Sequence, residues 1–300
     1  MPEVTVVIPA YNAERFIADT LRSVQSQTFR DFEVVVVDDG STDRTAAIVD
    51  AFGPPVQRVH QRNGGVSRAR NAGIGSARGR FIAFLDADDL WDPFKLEAQV
   101  TLLKARTELG FCYTGVRHID GEGRVSSVKP ARDHLDLCRT LLLESSVIAI
   151  SSVVVRRELV EQSGGFDPDF SQCADWDFWI RMSRLAQYAA VTAPLVGYRT
   201  APGNMSSNVS LLERDTFAVL DKFFATEGAT AYLSIKRQCY GNHWMILAGS
   251  YLHDAKLADS LRALVNGLRA APGNIWRALG LPGRWAGRLR RRVVSRATGP

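Results

Sequence analysis

Three short runs within the first 85 residues are almost unbrokenly apolar: 4–8, 33–37 and 81–85. Runs of this length, rich in β-branched and aromatic residues, read as strands buried on both faces, the habit of a parallel sheet. The segments between them carry helical periodicity. Over 13–27, Phe16, Ile17, Thr20, Leu21 and Val24 share one face, and Arg15, Asp19, Arg22 and Gln25 lie elsewhere. Ser41 or Thr42 can cap a helix over 43–52. Residues 66–76 form a third helix, and 93–106 a fourth, opened by Asp92 and Pro93. With a further short strand over 56–60, the alternation predicts a doubly wound α/β unit, whose ligands sit beyond the carboxyl ends of the strands.

From residue 110 the pattern changes to a hairpin turning at Asp120-Gly121-Glu122-Gly123, followed by a mixed stretch to about residue 207. Helical patterns then occupy 211–225, 230–253 and 255–270. Ala201-Pro202-Gly203-Asn204 is the nearest thing to a boundary. The expected division is therefore 1–207, with halves 1–106 and 107–207, and a helical region over 208–300. The four cysteines include no CxxC pair, which argues against a zinc ribbon, a redox dithiol or a disulfide scaffold and fits a reducing compartment. The opening residues lack a signal peptide's basic region, and no stretch reaches the ~18 apolar residues of a spanning helix. The net charge of +5 is uneven: from Ser260 onward there are nine Arg and no Asp, Glu or Lys, so the rest of the chain nets −4. That is an acidic-to-neutral body with a basic tail, not a nucleic-acid binder.

Acidic residues follow two of the strands. The run 33–37 ends in Asp38-Asp39-Gly40-Ser41, and 81–85 ends in Asp86-Ala87-Asp88-Asp89. Parallel strands would bring these five carboxylates to one sheet edge, where each raises its neighbour's pKa. A hard divalent cation, Mg²⁺ or Mn²⁺, relieves such crowding and takes one or two carboxylates together with phosphate oxygens. Asp43 reads as a turn or cap residue.

With these acidic ends go further segments: Val7-Ile8-Pro9-Ala10-Tyr11-Asn12, Asn63-Gly64-Gly65-Val66-Ser67-Arg68-Ala69-Arg70-Asn71-Ala72-Gly73, Gly164-Gly165-Phe166-Asp167 and Asp175-Trp176-Asp177-Phe178-Trp179. In this order and spacing the chain resembles the inverting, non-processive family-2 glycosyltransferases of the GT-A fold, over about residues 3–207. The resemblance implies a Rossmann-like, mixed but mainly parallel sheet flanked by helices, with a C-terminal helical extension. It implies that Pro9, Ala10, Tyr11 and Asn12 line the base and ribose of a nucleotide sugar. Asp39, or else Asp38, would read the base, and Arg70 would lie on the nucleotide side. Asp88 would bind Mn²⁺ or Mg²⁺ at the diphosphate, Asp86 would hold sugar or ribose hydroxyls with Ala87 between them, and Asp89 would be either an acid behind the metal or a cap. Asp175 matches the family's base, with Asp177 as the alternative. Spacing puts those two roughly 200° apart on a helix, so only one can face the site. Trp176 and Trp179 are core residues or a sugar platform. Asp167 belongs to a turn that shapes the acceptor pocket.

Two departures stand out. Ala174 occupies the place where the family usually carries a Glu, and no His falls near Ala201, so Arg199 or Ser206 would meet phosphate instead. The signature of processive synthases is missing, which favours transfer of a single sugar. The implied partners are a nucleoside diphosphate sugar, UDP-linked in the first instance, and a glycan or lipid-linked acceptor of cell-surface polysaccharide synthesis; an oligomer is compatible with the sequence. The expected setting is the cytoplasm, with the Arg-, Trp- and Leu-rich residues after 275 touching the anionic inner face of the plasma membrane. The competing readings are a non-catalytic nucleotide-sugar-binding module and a sugar-phosphate nucleotidyltransferase. The latter should carry a glycine-rich basic loop where this chain has Pro9-Ala10-Tyr11-Asn12.

Overall fold

The computed structural model describes residues 1–145, 147–200 and 208–275. Residues 201–204, Ser206 and the arginine-rich stretch from 276 lie outside the described residues. The described chain falls into two compact units, 1–141 with 147–200 and 142–145 with 208–275.

In the first unit the apolar runs are strands β1 (Val4–Ala10), β2 (Phe32–Asp38) and β4 (Phe81–Phe84), joined by β3 (Val56–His60). Every residue of β1, β2 and β4 is buried. The strands lie in the order β3-β2-β1-β4, all parallel. The sheet then turns mixed: β8 (Val153–Arg156) runs antiparallel to β4 and to β6 (Leu109–Ile119). β9 (Gln187–Arg199) runs parallel to β6, and the two-residue β5 (Leu90–Trp91) closes the far edge against β9. β7 (Val125–Lys129) pairs with the end of β6 as the expected hairpin, through the turn at 120–123 in which Gly123 has φ +82°.

One face of the sheet packs on α1 (Ile17–Gln25) and α4 (Lys95–Ala105). Val4, Val6 and Ile8 of β1 and Val34 and Val36 of β2 join Ile17, Leu21, Val24, Leu96, Val100 and Leu103 in one core. On the other face Val35 and Val37 meet Ala69 of α3 (Val66–Ser76). Gly73 lets α3 approach closely, since a Cβ there would lie 2.4 Å from Val7 Cγ1. Glu33, the one acid in the strand runs, is buried yet satisfied. Burial opposes its charge, but hydrogen bonds from the Arg78 guanidinium and backbone N–H and from Thr5 Oγ1 hold its pKa below the usual range.

Several helix starts differ from the periodicity. α1 begins at Ile17 rather than 13, because residues 13–16 form a turn in which the N–H groups of Phe16 and Ile17 both donate to Ala13 O. α2 (Thr45–Asp50) begins at Thr45, and Asp43 rather than Ser41 or Thr42 accepts from its first N–H. α4 begins at Lys95, not Pro93; Asp92 Oδ1 accepts from Phe94 N just outside it. In the second unit α8 (Val209–Phe224) follows expectation. The pattern over 230–253 divides into a 3₁₀ run, Glu227–Ile235, and α9 (Lys236–His253). α10 (Leu257–Ala270) follows. All four cysteines are buried and unbridged. Among the described residues no helix is long and apolar enough to cross a membrane.

One core residue is out of character. Lys95 is fully buried at the start of α4, its Nζ lies 4.0 Å from the Trp91 ring centroid, and it has no hydrogen-bond partner. Burial pulls its pKa down to about 7 from the 10.5 of an exposed lysine. A cation–π contact returns about 0.5–2 kcal/mol, less than the loss of hydration costs. Between pH 7 and 10.5 the unfolded chain holds this proton and the folded one does not, so stability rises with pH across that window. Lys95→Met should raise stability at pH 7 by roughly 1–3 kcal/mol and flatten the rise. Urea midpoints measured from pH 7 to 10 check this; a lower midpoint in the variant at pH 7 would contradict it.

Candidate active site

β1 and β2 are in register from Val4 opposite Phe32 to Ala10 opposite Asp38, so both end at the same sheet edge. β4 stops shorter, with Val7 opposite Phe84, and the chain runs on over that edge as the turn Asp86-Ala87-Asp88-Asp89. The parallel sheet thus gathers the acidic strand ends, as ligand sites of open α/β sheets require.

On the β1–β2 side, Pro9 and Ala10 are buried, while Tyr11 is 53% exposed. Asn12 adopts φ +48°; its Oδ1 accepts from Thr42 N at 2.9 Å and its N–H donates to Ser41 Oγ at 3.0 Å, which locks the two loops together. The neighbouring aspartates serve different partners. Asp38 turns to β3, where Oδ2 meets His60 Nδ1 at 3.2 Å and Arg58 Nη1 at 3.6 Å, and Oδ1 accepts from Ser41 N. Burial opposes that charge, but the bonds from Ser41 and His60 hold its pKa below the ordinary value. Asp39 accepts from Gln61 Nε2 and from the N–H groups of Gly64 and Gly65 at 2.7–2.9 Å. It thereby shapes the glycine loop that opens α3, where Gly65 has φ +88°.

The acidic turn is held from below. Asp89 is buried; its Oδ1 accepts from Arg199 N at 2.8 Å and its Oδ2 from Ser151 Oγ at 2.6 Å. Thr20 Oγ1 reaches the carbonyls of Ala87 and Asp89, both at 2.9 Å, and Asp86 N donates to Ser151 Oγ. Asp89 is thus a fastening for the turn rather than a helix cap. Arg199 also differs from expectation. It is buried, lies 4.5 Å over the Phe16 ring, and donates to the carbonyls of Asp88, Asp120 and Gly121 at 2.7–3.0 Å. Backbone carbonyls take those donors.

Above this base lie Asp86 and Asp88. Asp86 is partly exposed and accepts from Arg70 Nη2 at 2.7 Å. Arg70 is no surface charge: it is 6% exposed, its Nε is buried without a partner, and its guanidinium covers the Phe166 ring at 5.2 Å. Asp88 has the less well compensated charge of the two. Burial first, and Asp86 second, push its pKa up to about 6. Burial raises Asp89 well above its usual value, with Asp86 and Asp88 adding to it.

The turn Gly164-Gly165-Phe166-Asp167 is clamped to α3 by Asn71, which donates to Phe166 O at 2.7 Å and accepts from Phe166 N at 2.8 Å. A Cβ on Gly165, at φ +75°, would lie 2.6 Å from Asn71 Oδ1. Asp167 Oδ1 accepts from Asp169 N within the same turn. Phe166 stacks on Phe178 at 4.3 Å. α7 (Ala174–Leu185) follows. Its two acids separate as the helical geometry predicts. Asp177 is buried and paired with Arg181 at 2.8 Å, whose Nη1 and Nη2 also donate to Ser163 O and Gly165 O. Asp175 is partly buried; burial raises its pKa, Arg70 draws it back, and Asp86 raises it further. Trp176 and Trp179 are 2% and 1% exposed, and Trp176 Nε1 donates to Leu141 O. They form core, not a platform for a sugar.

The structure therefore brings Arg70, Asp86, Asp88 and Asp175 into one electrostatic cluster. It adds a residue to which the sequence reading gave no role. Tyr198, at the end of β9, is half-buried with its ring edge against His118 at 5.6 Å. Burial and the charges of Asp89, Asp86, Asp175 and Asp88 keep its phenol protonated. Its register with His118 across β6 and β9 depends on long-range pairing that no local motif announces. Ser151 escaped notice for the same reason, and Asn71, quoted within a motif, was given no role of its own.

Comparison with known proteins agrees with this geometry. The family model "Glycosyl transferase family 2" matches residues 5–164. An uncharacterized glycosyltransferase of Rickettsia prowazekii (strain Madrid E) is 30% identical over 191 residues, 62% of this chain and 60% of that protein. The chain thus spans about three fifths of that relative's length. A Bacillus subtilis (strain 168) protein, TuaG, whose name assigns it to teichuronic acid biosynthesis as a glycosyltransferase, is 31% identical over 217 residues, 69% of this chain and 82% of its own. Among solved structures, Staphylococcus aureus TarS 1–349 in complex with UDP-GlcNAc superposes with a TM-score of 0.65 at 18% identity, covering 89% of this chain and 91% of that one. The Pyrobaculum calidifontis mannosyltransferase PcManGT, in complex with GDP-Man and Mn²⁺, gives 0.59 at 22%, covering 96% and 81%. The architecture is that of the GT-A fold, and the chain belongs to glycosyl transferase family 2.

Proposed function

We propose that this chain transfers a single sugar, with inversion, from a nucleoside diphosphate sugar to an acceptor hydroxyl, with Asp175 as the base. The observation that carries this reading is the position of Asp175 on the first turn of α7. It is partly buried, raised in pKa, and within the field of the Arg70–Asp86 pair beside the Asp88 turn. The fold neighbours carry UDP-GlcNAc and GDP-Man. A UDP-linked donor is our first choice, and a glycan or lipid-linked acceptor of surface-polysaccharide assembly fits the relative named for teichuronic acid biosynthesis.

A divalent cation suits the residues present. Asp88 carries a charge that burial and Asp86 both disfavour. Among the described residues no three His, Cys, Asp or Glu side chains converge to hold a metal alone. Mn²⁺ or Mg²⁺ would be held by Asp88 together with phosphate oxygens, the usual mixed coordination, and would supply Lewis-acid stabilisation of the departing diphosphate. The chain's own residues do the remainder. Pro9, Ala10, Tyr11 and Asn12, with Asp39 behind the glycine loop, seat the nucleoside. Arg70 holds Asp86 in place to take sugar or ribose hydroxyls. Asp175, poorly hydrated, removes the proton from the attacking hydroxyl as the sugar–phosphate bond breaks. Ala174 is buried and brings no second acid to compete with it.

The test is release of nucleoside diphosphate from UDP-, dTDP- and GDP-sugars, with Mn²⁺, Mg²⁺ or EDTA, using cell lipid extract as acceptor. Asp175→Asn should lower kcat about 10²–10⁴-fold while nucleotide binding is kept. The acid limb of kcat/KM, set by a base titrating above the ordinary carboxylate range, should vanish in that variant. Turnover unchanged in Asp175→Asn would sink the assignment, and metal-dependent nucleotide binding without turnover would favour a binding module. Tyr198→Phe, which removes one neutral donor from the cluster, should cost roughly tenfold in kcat/KM with the melting temperature unchanged. An unchanged kcat/KM would remove Tyr198 from the machinery.

A further inference from the structure

Strand register lines up one position from each strand end along the carboxyl edge. Ala10 lies opposite Asp38, and Asp38 opposite His60, so Tyr11, Asp39 and Gln61 each stand one residue past the last pairs of β1, β2 and β3. Val35 and Val37 of β2 face α3, and side chains two residues apart on a strand share a face, which puts Asp39 on the α3 side. Gln61 joins it there: its N–H donates to Asp38 O, and its Nε2 donates to Asp39 Oδ1 at 2.7 Å. On the far side of β1, the chain leaving β4 carries Asp86, bonded to Arg70 of α3. In strand order outward from the acidic turn, the positions are Asp86, Tyr11, Asp39 and Gln61. Three strand spacings separate the ends of this series, about 14 Å, comparable with an extended nucleoside diphosphate. With the diphosphate held at Asp88, as proposed, the base falls at the β3 end.

Asp39 is ill placed to read that base. It is 3% exposed, and its two oxygens already accept from Gln61 Nε2 and from the N–H groups of Gly64 and Gly65. Gln61 is only half-buried. A carboxylate accepts and cannot donate, so Asp39 obliges the Gln61 amide to turn its nitrogen inward. The amide keeps one N–H and the carbonyl oxygen Oε1, side by side, for a ligand. These match a ring N–H next to a ring carbonyl, which is N3–H with O4 in uracil or thymine and N1–H with O6 in guanine. Cytosine and adenine present the reverse, a bare ring nitrogen next to an amino group. With ribose and diphosphate held, their ring atoms keep the same places, so pairing would need the amide flipped and its bond to Asp39 broken. We infer that Gln61 selects the nucleobase, admitting uracil, thymine or guanine and rejecting cytosine and adenine. This rests on the reading of the chain as a nucleotide-sugar transferase and names the side chain that reads its donor's base.

The test is equilibrium binding of UDP, GDP, CDP and ADP to the full chain with Mn²⁺, comparing the wild type with Gln61→Met and Gln61→Asn. The wild type should bind UDP or GDP at least roughly tenfold tighter than CDP and ADP, the worth of one hydrogen bond to a charged group. Gln61→Met keeps the length and loses both amide edges. Its affinity for the preferred nucleotide should fall roughly tenfold while that for CDP stays, which collapses the preference. Gln61→Asn is one methylene too short to reach both Asp39 and a base, and should collapse the preference likewise. Pyrophosphate, which has no base, should bind all three proteins alike. A preference kept in both variants overturns the inference and returns the base to Asp39. Pyrophosphate affinity lost together with the preference also overturns it, because Gln61 then only supports the glycine loop. A wild type that binds all four nucleotides equally overturns it too. A folded wild type that binds none of them overturns the functional reading on which the inference rests.

Discussion

The carboxyl edge of the sheet hangs on one buried carboxylate, Asp89. Its two oxygens take hydrogen bonds from chain segments 62 and 110 residues away, Ser151 and Arg199. Each bond contributes about 0.5–1.5 kcal/mol, and each partner would be left unsatisfied if the side chain were gone. Through Arg199 the fastening extends to the carbonyls of Asp88, Asp120 and Gly121, and through Ser151 to the backbone of Asp86. The residues that face solvent above it, Asp86 and Asp88, therefore sit on a frame whose polar groups are already engaged. A rigid frame of this kind is what holds reacting groups in place without reorganisation at the moment of reaction.

The frame also sets where charge is left over. Asp38 is answered by His60 and Arg58, Glu33 by Arg78, and Asp86 by Arg70. Asp88 has a backbone N–H and the pull of Arg199 against burial and Asp86, which outweigh them, and its pKa rises accordingly. The least neutralised charge is concentrated at one point of the edge. Spread evenly over five carboxylates, the same charge would favour loosely held counter-ions instead.

The strands were legible because valine-rich runs such as 34–37 fit little but a doubly covered strand, and their acidic ends were legible because a strand end points to a sheet edge. What escaped was the use made of each acid. Asp38 and Asp39 are adjacent in sequence and similar in type, yet one is spent on β3 and the other on the glycine loop. Arg199 looked available for phosphate because an arginine in an isolated sequence has no visible acceptor. In the fold, backbone carbonyls from two loops surround it. Trp176 and Trp179, three apart, read as core or as a sugar platform, and since helix α7 is covered on most of its circumference both rings are core.

Asp175 and Asp177 make the point most sharply, because they share a helix, a residue type and a first turn. Asp177 points to Arg181 four residues on, and that pair is further tied to Ser163 O and Gly165 O. The Asp177 carboxylate is thus committed to a guanidinium that two backbone carbonyls hold in place. Asp175 has its own backbone neighbour Trp176 N for a donor, Arg70 for distant attraction, and burial and Asp86 against its charge. Burial thus leaves the Asp175 carboxyl above its ordinary pKa. A Glu at position 174 would sit where Ala174 is now buried, and its charge would raise Asp175 further at the cost of a second desolvated carboxylate. With alanine there, the raised pKa of Asp175 rests on burial and Asp86, with Arg70 opposing, so one Arg70–Asp86 pair acts on both the acidic turn and the first turn of α7.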